Sequence, residues 1–442
     1  MLPGAKFLWF WTMIPYSFTL KFKHHNAEEL ESFLHRINSN YPSITHLYSI
    51  GKSVEGVDLW VLAIGKHPKN HVVGIPEVKY IGNIHGDEVV GREMLLHLID
   101  HMVEKYGKDS TITQIIDSTR IHIMPSMNPD GYAVAKNEKY CNSTQGRKNK
   151  AGFDLNRNFP TVPVKNTSST LQPETKAIMN WILNETFVLS LSLHGGAVVV
   201  SYPYDSFIEG NSICPDNDVF VYLAKNFSYN HAGMYFGDEC AYTQFFKDGI
   251  TIGAEWYSLE GGMQDFNYVQ AQCFELTVEM SCCMNPPPNT LKDFWNDNKI
   301  SLVNFFNLVH LGVKGQVLDV YDQPIKDAII KVRGRENLIP FKTNKLGEYY
   351  RLLLPGTYIL EVNAKGFCPK TVQLEIPNNL SNFCALVHDI RLDSKYQFPD
   401  SRAEASNDGA STTYINVILL ISSIFMSLKF TFNSSGRAIS ML

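Results

Sequence analysis

The chain has 442 residues, 44% of them hydrophobic and only 19% charged, which excludes a disordered chain and suggests two or three domains. A formal net charge of −5, with no long Lys/Arg run, excludes an electrostatic case for nucleic acid as a partner.

In chain order, Lys6 and the short apolar run of residues 7–20 read as a secretory signal peptide over residues 1–19. From residue 20 to 311, apolar strand-like runs at 59–65, 78–84, 120–131 and 187–204 alternate with helical patterns. Those helical patterns fall at about 26–40, 88–105, 173–184, 217–228 and 289–311. The alternation predicts an α/β domain, a mixed and mostly parallel sheet flanked by helices. Polar, insert-like loops are expected at 136–153 and 205–218.

Near Leu311 the texture changes to period-two alternation punctuated by Gln-Pro, Pro-Gly and Lys-Gly turns. That predicts a small all-β sandwich over residues 312–393. A polar stalk (394–410) and a C-terminal segment (411–442) follow. The apolar run Val417–Leu428 is shorter than the roughly 20 residues a spanning helix needs. Small residues and a spacer before it give the pattern of a GPI-attachment signal, removed after transfer at Ser406 or Asn407. A single transmembrane helix is the alternative.

Sequons at Asn142, Asn166, Asn184, Asn226 and Asn379 agree with secretion. Eight cysteines in an exported chain imply disulfides rather than a zinc knuckle, and Cys368 is expected to pair with Cys384 inside the sandwich.

The stretch His85-Gly-Asp-Glu88 sits where a strand runs into a helix. Imidazole and carboxylate three residues apart can converge on one zinc. By itself the stretch is equally a polar helix start, with Asp87 and Glu88 favouring the helix N-terminus. His194 follows an apolar run fit for a central strand, placing it at the carboxyl end, where open α/β sheets bind ligands. In residues 273–283, alternation puts Glu275, Thr277 and Glu279 on one face of a strand. Two carboxylates there are costly unless paired or used, and either suits proton transfer beside a zinc-bound water. Arg147 and the adjacent Asn156 and Arg157 offer groups that bind carboxylates.

Together H-G-D-E, N-P-D-G, D-L-N-R-N-F, L-H-G-G, Y-P-Y-D, G-G-M-Q-D and V-E-M-S-C-C, in this order, resemble the zinc metallocarboxypeptidases. The resemblance is specifically to the regulatory (N/E) subfamily, whose catalytic domain precedes a transthyretin-like β-domain. It covers roughly residues 24–393. It implies one zinc on His85, Glu88 and His194, with Glu279 as general acid/base and Glu275 in a supporting role. Arg147 would steady the oxyanion, Asn156 and Arg157 would grip the substrate's terminal carboxylate, and Tyr257 would close over the terminal residue. Asp205 and Gln264 fall at the positions that read the terminal side chain. A carboxylate in a closed pocket wants a cation, so the implied substrates are extracellular peptides and proteins ending in Lys or Arg. The resemblance further implies disulfides Cys141–Cys283 and Cys240–Cys282, leaves Cys214 and Cys273 unassigned, and implies a monomer held to the membrane by its lipid. The alternative reading is a non-catalytic cell-surface protein that uses the same fold to bind peptides or a receptor.

Overall fold

The structure, a computed structural model, describes residues 20–135, 143–161, 170–208, 210–378 and 384–395. The signal segment, the anchor segment with Ser406 and Asn407, the sequons at Asn142, Asn166 and Asn379, and Cys141 lie outside the described residues.

Helix α1 (Ala27–Asn40) starts where Asn26 and Glu29 form a reciprocal capping box. Its Leu30, Phe33, Leu34 and Ile37 recur at helical spacing and are buried. Eight strands follow in one mixed sheet: β1 (Thr45–Lys52), β2 (Asp58–Ile64), β3 (Glu77–Gly82), β4 (Arg120–Met124), β5 (Phe187–His194), β6 (Ala197–Tyr202), β7 (Ile250–Ile252) and β8 (Phe274–Ser281). Their spatial order is β1-β2-β4-β3-β5-β8-β6-β7. The central strands β4, β3, β5 and β8 run parallel, with antiparallel pairs toward both edges. Strands β3, β4 and β5 are buried along their whole length, as expected of apolar strands covered on both faces.

The helices between these strands are α2 (Val89–Lys105), α3 (Ser110–Ser118), α4 (Pro129–Val134), α5 (Pro173–Asn184), α6 (Asn217–Asn230), α7 (Gly253–Trp256) and α8 (Met263–Ala271). Helix α9 (Leu291–Phe305) follows β8. The five sequence-predicted helices are all present. The expected single apolar stretch 187–204 divides at Gly195-Gly196 into β5 and β6. The segment expected as a polar insert at 205–218 has an exposed side, with Phe207 and Ile213, and a buried side formed by Asp205, Ser206, Ser212, Cys214 and Asp216.

The C-terminal part is all-β, as expected. Strands β9 (Val313–Leu318), β10 (Ile329–Val332), β11 (Phe341–Lys342), β12 (Glu348–Arg351), β13 (Gly356–Asn363), β14 (Lys370–Ile376), β15 (Leu386–Val387) and β16 (Ile390–Arg391) build two sheets. One has the order β11-β10-β13-β14 and the other β12-β9-β15, with β16 also on β9. Val313, Val317, Ile330, Val332, Leu360 and Leu374 fill the space between them.

Cys240 and Cys282 are bonded, with their Cα atoms 5.4 Å apart. Cys283 is also disulfide-bonded, its expected partner Cys141 lying outside the described residues. Cys214 and Cys273 are buried thiols. The expected Cys368–Cys384 bond is not formed. Cys384 precedes β15, which pairs the start of β9 at Val313. The Cys368 N–H donates to the Asp393 carbonyl, beyond β16, which pairs the far end of β9 at Leu318. Opposite ends of that strand lie roughly 15 Å apart at about 3.3 Å per residue, and a disulfide tolerates about 7 Å between Cα atoms. Of the sequons described, Asn184 is exposed and Asn226 half-buried.

The main sheet and the C-terminal sheets meet at His71. Its Nδ1 lies 2.6 Å from Glu77 Oε1 on β3 and its Nε2 2.6 Å from Glu348 Oε2 on β12. Burial opposes the imidazolium, but Glu348 and Glu77 outweigh it and raise the His71 pKa from 6.5 to about 9. A raised histidine pKa stabilises the fold fully below about 6.5, and that stabilisation is lost as pH rises through about 9. His71→Gln should therefore cost about 1–3 kcal/mol at pH 7. In thermal melts from pH 6 to 10, the gap between parent and variant should narrow at the alkaline end. A gap independent of pH would contradict this account.

Candidate active site

Parallel order at the sheet centre brings the carboxyl ends of β3, β5 and β8 to one edge, and the candidate residues gather there. His85 lies three residues beyond β3, and Glu88 immediately precedes α2. His194 ends β5, and in the β5–β8 register it stands opposite Glu279. Neighbours in a parallel pair project to the same face, so His194 and Glu279 face one pocket.

His85, Glu88 and His194 are all buried, and one ligand atom from each lies within 4.8 Å of the others. The Nδ1 atoms of His85 and His194 are each 2.8 Å from a different oxygen of Glu88. The far nitrogens are backed: His85 Nε2 by Asp154 Oδ1 at 3.1 Å, His194 Nε2 by Ser192 Oγ at 3.1 Å. This arrangement suits a zinc ion. An N–H given to an oxygen on the outer side leaves the inner nitrogen free to ligate, and two imidazoles with one carboxylate are a hydrolytic zinc set. Asp154 and Ser192 were not assigned from sequence. Asp154 stood within the quoted DLNRNF motif, while nothing marked Ser192.

Electrostatics separate the carboxylates. Burial pushes the Glu88 pKa up, but the two histidines prevail and hold it far below the usual carboxylate range. Glu279 forms no ion pair among the described residues. Burial first, then the charge of Glu88, push it well above that range, with Arg147 pulling the other way. Its Oε2 is buried with no hydrogen-bond partner among the described residues. Glu275, the other candidate on this strand, is committed to the core. Its Oε2 accepts from Lys79 Nζ at 3.2 Å, Ser190 Oγ at 2.7 Å and Asn267 Nδ2 at 2.9 Å.

Asp87 was expected to start the helix. Glu88 occupies the N-cap position without a side-chain cap bond, and neither oxygen of Asp87 has a partner among the described residues. Burial, then the neighbouring Glu88 charge, raise Asp87 to about 6, an environment at odds with an ionised capping group.

Arg147 donates to Glu88 Oε1 at 3.2 Å and through Nε to Asp154 Oδ2 at 3.2 Å. Asn156 is buried, its Oδ1 accepting from the Met263 N–H at 2.9 Å, whereas Arg157 is exposed. Asn156, His194, Ser201, Asp205, Gly253, Trp256, Tyr257, Leu259, Thr277 and Glu279 line a narrow pocket. Tyr257 is 45% exposed at its rim, against Trp256. Asp205 lies at the inner end, 4% exposed, its Oδ1 accepting from Gln264 Nε2 at 2.6 Å. A Cβ at Gly253 would sit 2.1 Å from that same oxygen, so glycine is needed there. Burial, then Asp265 and Glu275, push Asp205 well above the carboxylate range. Every sequence-predicted catalytic, metal and substrate residue thus borders this one region, apart from Glu275, which lies beneath it.

Comparison with known proteins agrees with this geometry. A zinc carboxypeptidase family model matches residues 30–301. Mouse carboxypeptidase M is 51% identical over 401 residues, covering 89% of this chain and 90% of that protein. The catalytic chain of mouse carboxypeptidase N is 42% identical over 385 residues, covering 80% and 83%. The crystal structure of carboxypeptidase A from Helicoverpa armigera shares the fold, with a TM-score of 0.54 at 20% identity over 64% of this chain and 73% of that one. The chain belongs to the zinc carboxypeptidase family and is a metallocarboxypeptidase with one catalytic zinc.

Proposed function

We propose that the protein removes single Lys or Arg residues from the C-termini of extracellular peptides and proteins. The observation behind this reading is Asp205, a buried carboxylate at the inner end of the pocket with no ion-pair partner among the described residues. A lysine or arginine side chain of the substrate supplies the missing cation, and Gln264 holds the carboxylate in place. Residues 20–311 are read as the catalytic domain and 312–393 as a transthyretin-like β-domain.

His85, Glu88 and His194 would hold the zinc, which when bound lowers the pKa of a water and polarises a carbonyl. Asn156 and Arg157 receive the terminal carboxylate, restricting attack to chain ends. Tyr257 covers the terminal residue and excludes bulk water. Arg147 donates to the carbonyl oxygen as negative charge develops on it. Glu279 Oε2 takes a proton from the attacking water and returns it to the departing amine. Asp154 keeps the His85 ring turned so that Nδ1 points inward.

Glu279→Gln should retain one zinc per chain, while release of Arg from a peptide ending in Arg falls by about 10²–10⁴-fold. Full activity in that variant, or no zinc in the parent, would overturn the enzyme mechanism in favour of a non-catalytic peptide- or receptor-binding protein. Asp205→Asn should abolish the preference for Arg over Ala at the terminal position, measured as a ratio of kcat/KM values. An unchanged ratio would move the specificity group elsewhere.

We further propose that the protein acts as a monomer at the outer face of the plasma membrane, carrying N-glycans and a GPI lipid. No helix among the described residues is long and apolar enough to cross a membrane, and residues 396–442 lie outside them. Phosphatidylinositol-specific phospholipase C should release the activity from cells expressing the full chain. Retention after treatment would favour a transmembrane helix.

A further inference from the structure

A relay of buried polar groups connects the C-terminal sheets to the specificity pocket. Helix α8 is its centre. Gln264 and Tyr268 are four residues apart and share one face of that helix. Gln264 donates to Asp205 Oδ1 at 2.6 Å and accepts from the Thr277 N–H of β8 at 2.8 Å. The next residue, Asp265, accepts from the N–H groups of Asp205 at 2.9 Å and Ser206 at 3.3 Å. Tyr268 OH donates to Asp216 Oδ2 at 2.7 Å. The segment from Asp205 to Asp216 is thus fastened to α8 at both ends.

Asp216 is itself held from outside the main sheet. It is fully buried, and Arg351 Nη2 approaches its Oδ1 at 2.6 Å. Arg335 Nη1 reaches the same oxygen at 2.8 Å. Asn337 Nδ2 donates both to Asp216 Oδ2 at 3.0 Å and to Tyr268 OH at 2.9 Å. Arg351 ends β12, while Arg335 and Asn337 follow β10. The Arg351 guanidinium lies 4.2 Å from the centre of the Phe341 ring and is 1% exposed, so packing as well as charge fixes it. A buried carboxylate deprived of its cations is strongly unfavourable, so the position of Asp216 is set by the arginines.

We propose that Arg335 and Arg351 are positioning residues for the substrate pocket: they fix Asp216, which through Tyr268 sets α8 so that Gln264 meets Asp205. This gives the β-sheets a part in choosing the terminal residue. It rests on the reading of Asp205 and Gln264 as the group that receives Lys or Arg.

The test compares Tyr268→Phe, Arg335→Gln, their double variant, Arg351→Lys and Asp205→Asn in the full chain. Readouts are kcat and KM for peptides ending in Arg or Ala, inhibition by free L-arginine, zinc content and Tm. In Tyr268→Phe and Arg335→Gln, KM for the Arg peptide and the inhibition constant of free arginine should rise together by about five- to tenfold. Zinc content should be unchanged and kcat should stay within about twofold of the parent. The double variant should be little worse than the worse single one, and Arg351→Lys, which keeps the charge, should retain most of the parent's affinity. Tyr268→Phe loses one hydroxyl and decides the matter if Arg335→Gln fails to fold. Folded variants with the parent's KM and arginine inhibition would overturn the relay, as would additive losses or equal losses on both peptides. If Asp205→Asn keeps its preference for Arg, the pocket reading itself fails. If Asp205→Asn loses that preference while the relay variants behave as the parent, the relay alone fails.

Discussion

The buried carboxylate of Glu88 is the constraint around which the site is arranged. At 3% exposure an ionised group is tolerable only if opposite charge and hydrogen bonds replace its water. Two imidazoles, the Arg147 guanidinium and the Gly195 N–H do so. These partners come from distant parts of the chain, and only the parallel alignment of β3 and β5 brings their ends together. A zinc ion in the same place would supply positive charge between these three side chains. The local fold and the metal set therefore satisfy one electrostatic requirement.

The same burial acts oppositely on Glu279 because its neighbours differ. Glu88 has cations on both sides and is kept ionised, while Glu279 faces Glu88 and is pushed toward its protonated form. Two carboxylates in one cavity are thus driven apart in acidity, which fits the proposed division of labour, one as metal ligand and the other as proton carrier. Arg147 spans Glu88 and Asp154, so the residue proposed to meet the carbonyl oxygen is held by the same acids that order the histidines.

How much of this was legible in the sequence depended on the range of the interaction. Apolar runs and helical periodicity are local, and they located the starts of β2, β3, β4, β5 and five helices within two residues, though not all of the ends. Ordered motifs pointed to His85, Glu88, His194, Asn156 and Glu279, which the fold gathers at one edge of the sheet. Tertiary pairing was not legible. The helix-start role expected of Asp87 failed because burial beside Glu88 overrides a capping preference. The Cys368–Cys384 pair failed because the order of strands around β9 separates two cysteines that lie close in sequence. Residues 205–218 read as a polar, insert-like loop, and nothing in that pattern showed that Asp216 is buried against Arg335 and Arg351. Asp154 and Ser192 escaped assignment since their value depends on which nitrogen of a distant histidine they meet.

Strand β8 shows how one face can be both core and active site. Its inward row is Glu275, Thr277 and Glu279, with period two. In register, Lys79 of β3 stands beside Ser190 of β5, and Ser190 beside Glu275. Ser192 is next to Thr277, and His194 next to Glu279. In the first row Lys79, Ser190 and Asn267 satisfy Glu275 Oε2, while its Oε1 is buried without a partner among the described residues. In the middle row Ser192 backs His194 and the Thr277 N–H anchors Gln264, so its groups orient those that meet ligand. The last row leaves Glu279 Oε2 without a partner among the described residues, in the lining of the pocket. Two glutamates four residues apart differ in surroundings: three donors hold Glu275 Oε2 in the core, whereas Glu279 lines the pocket.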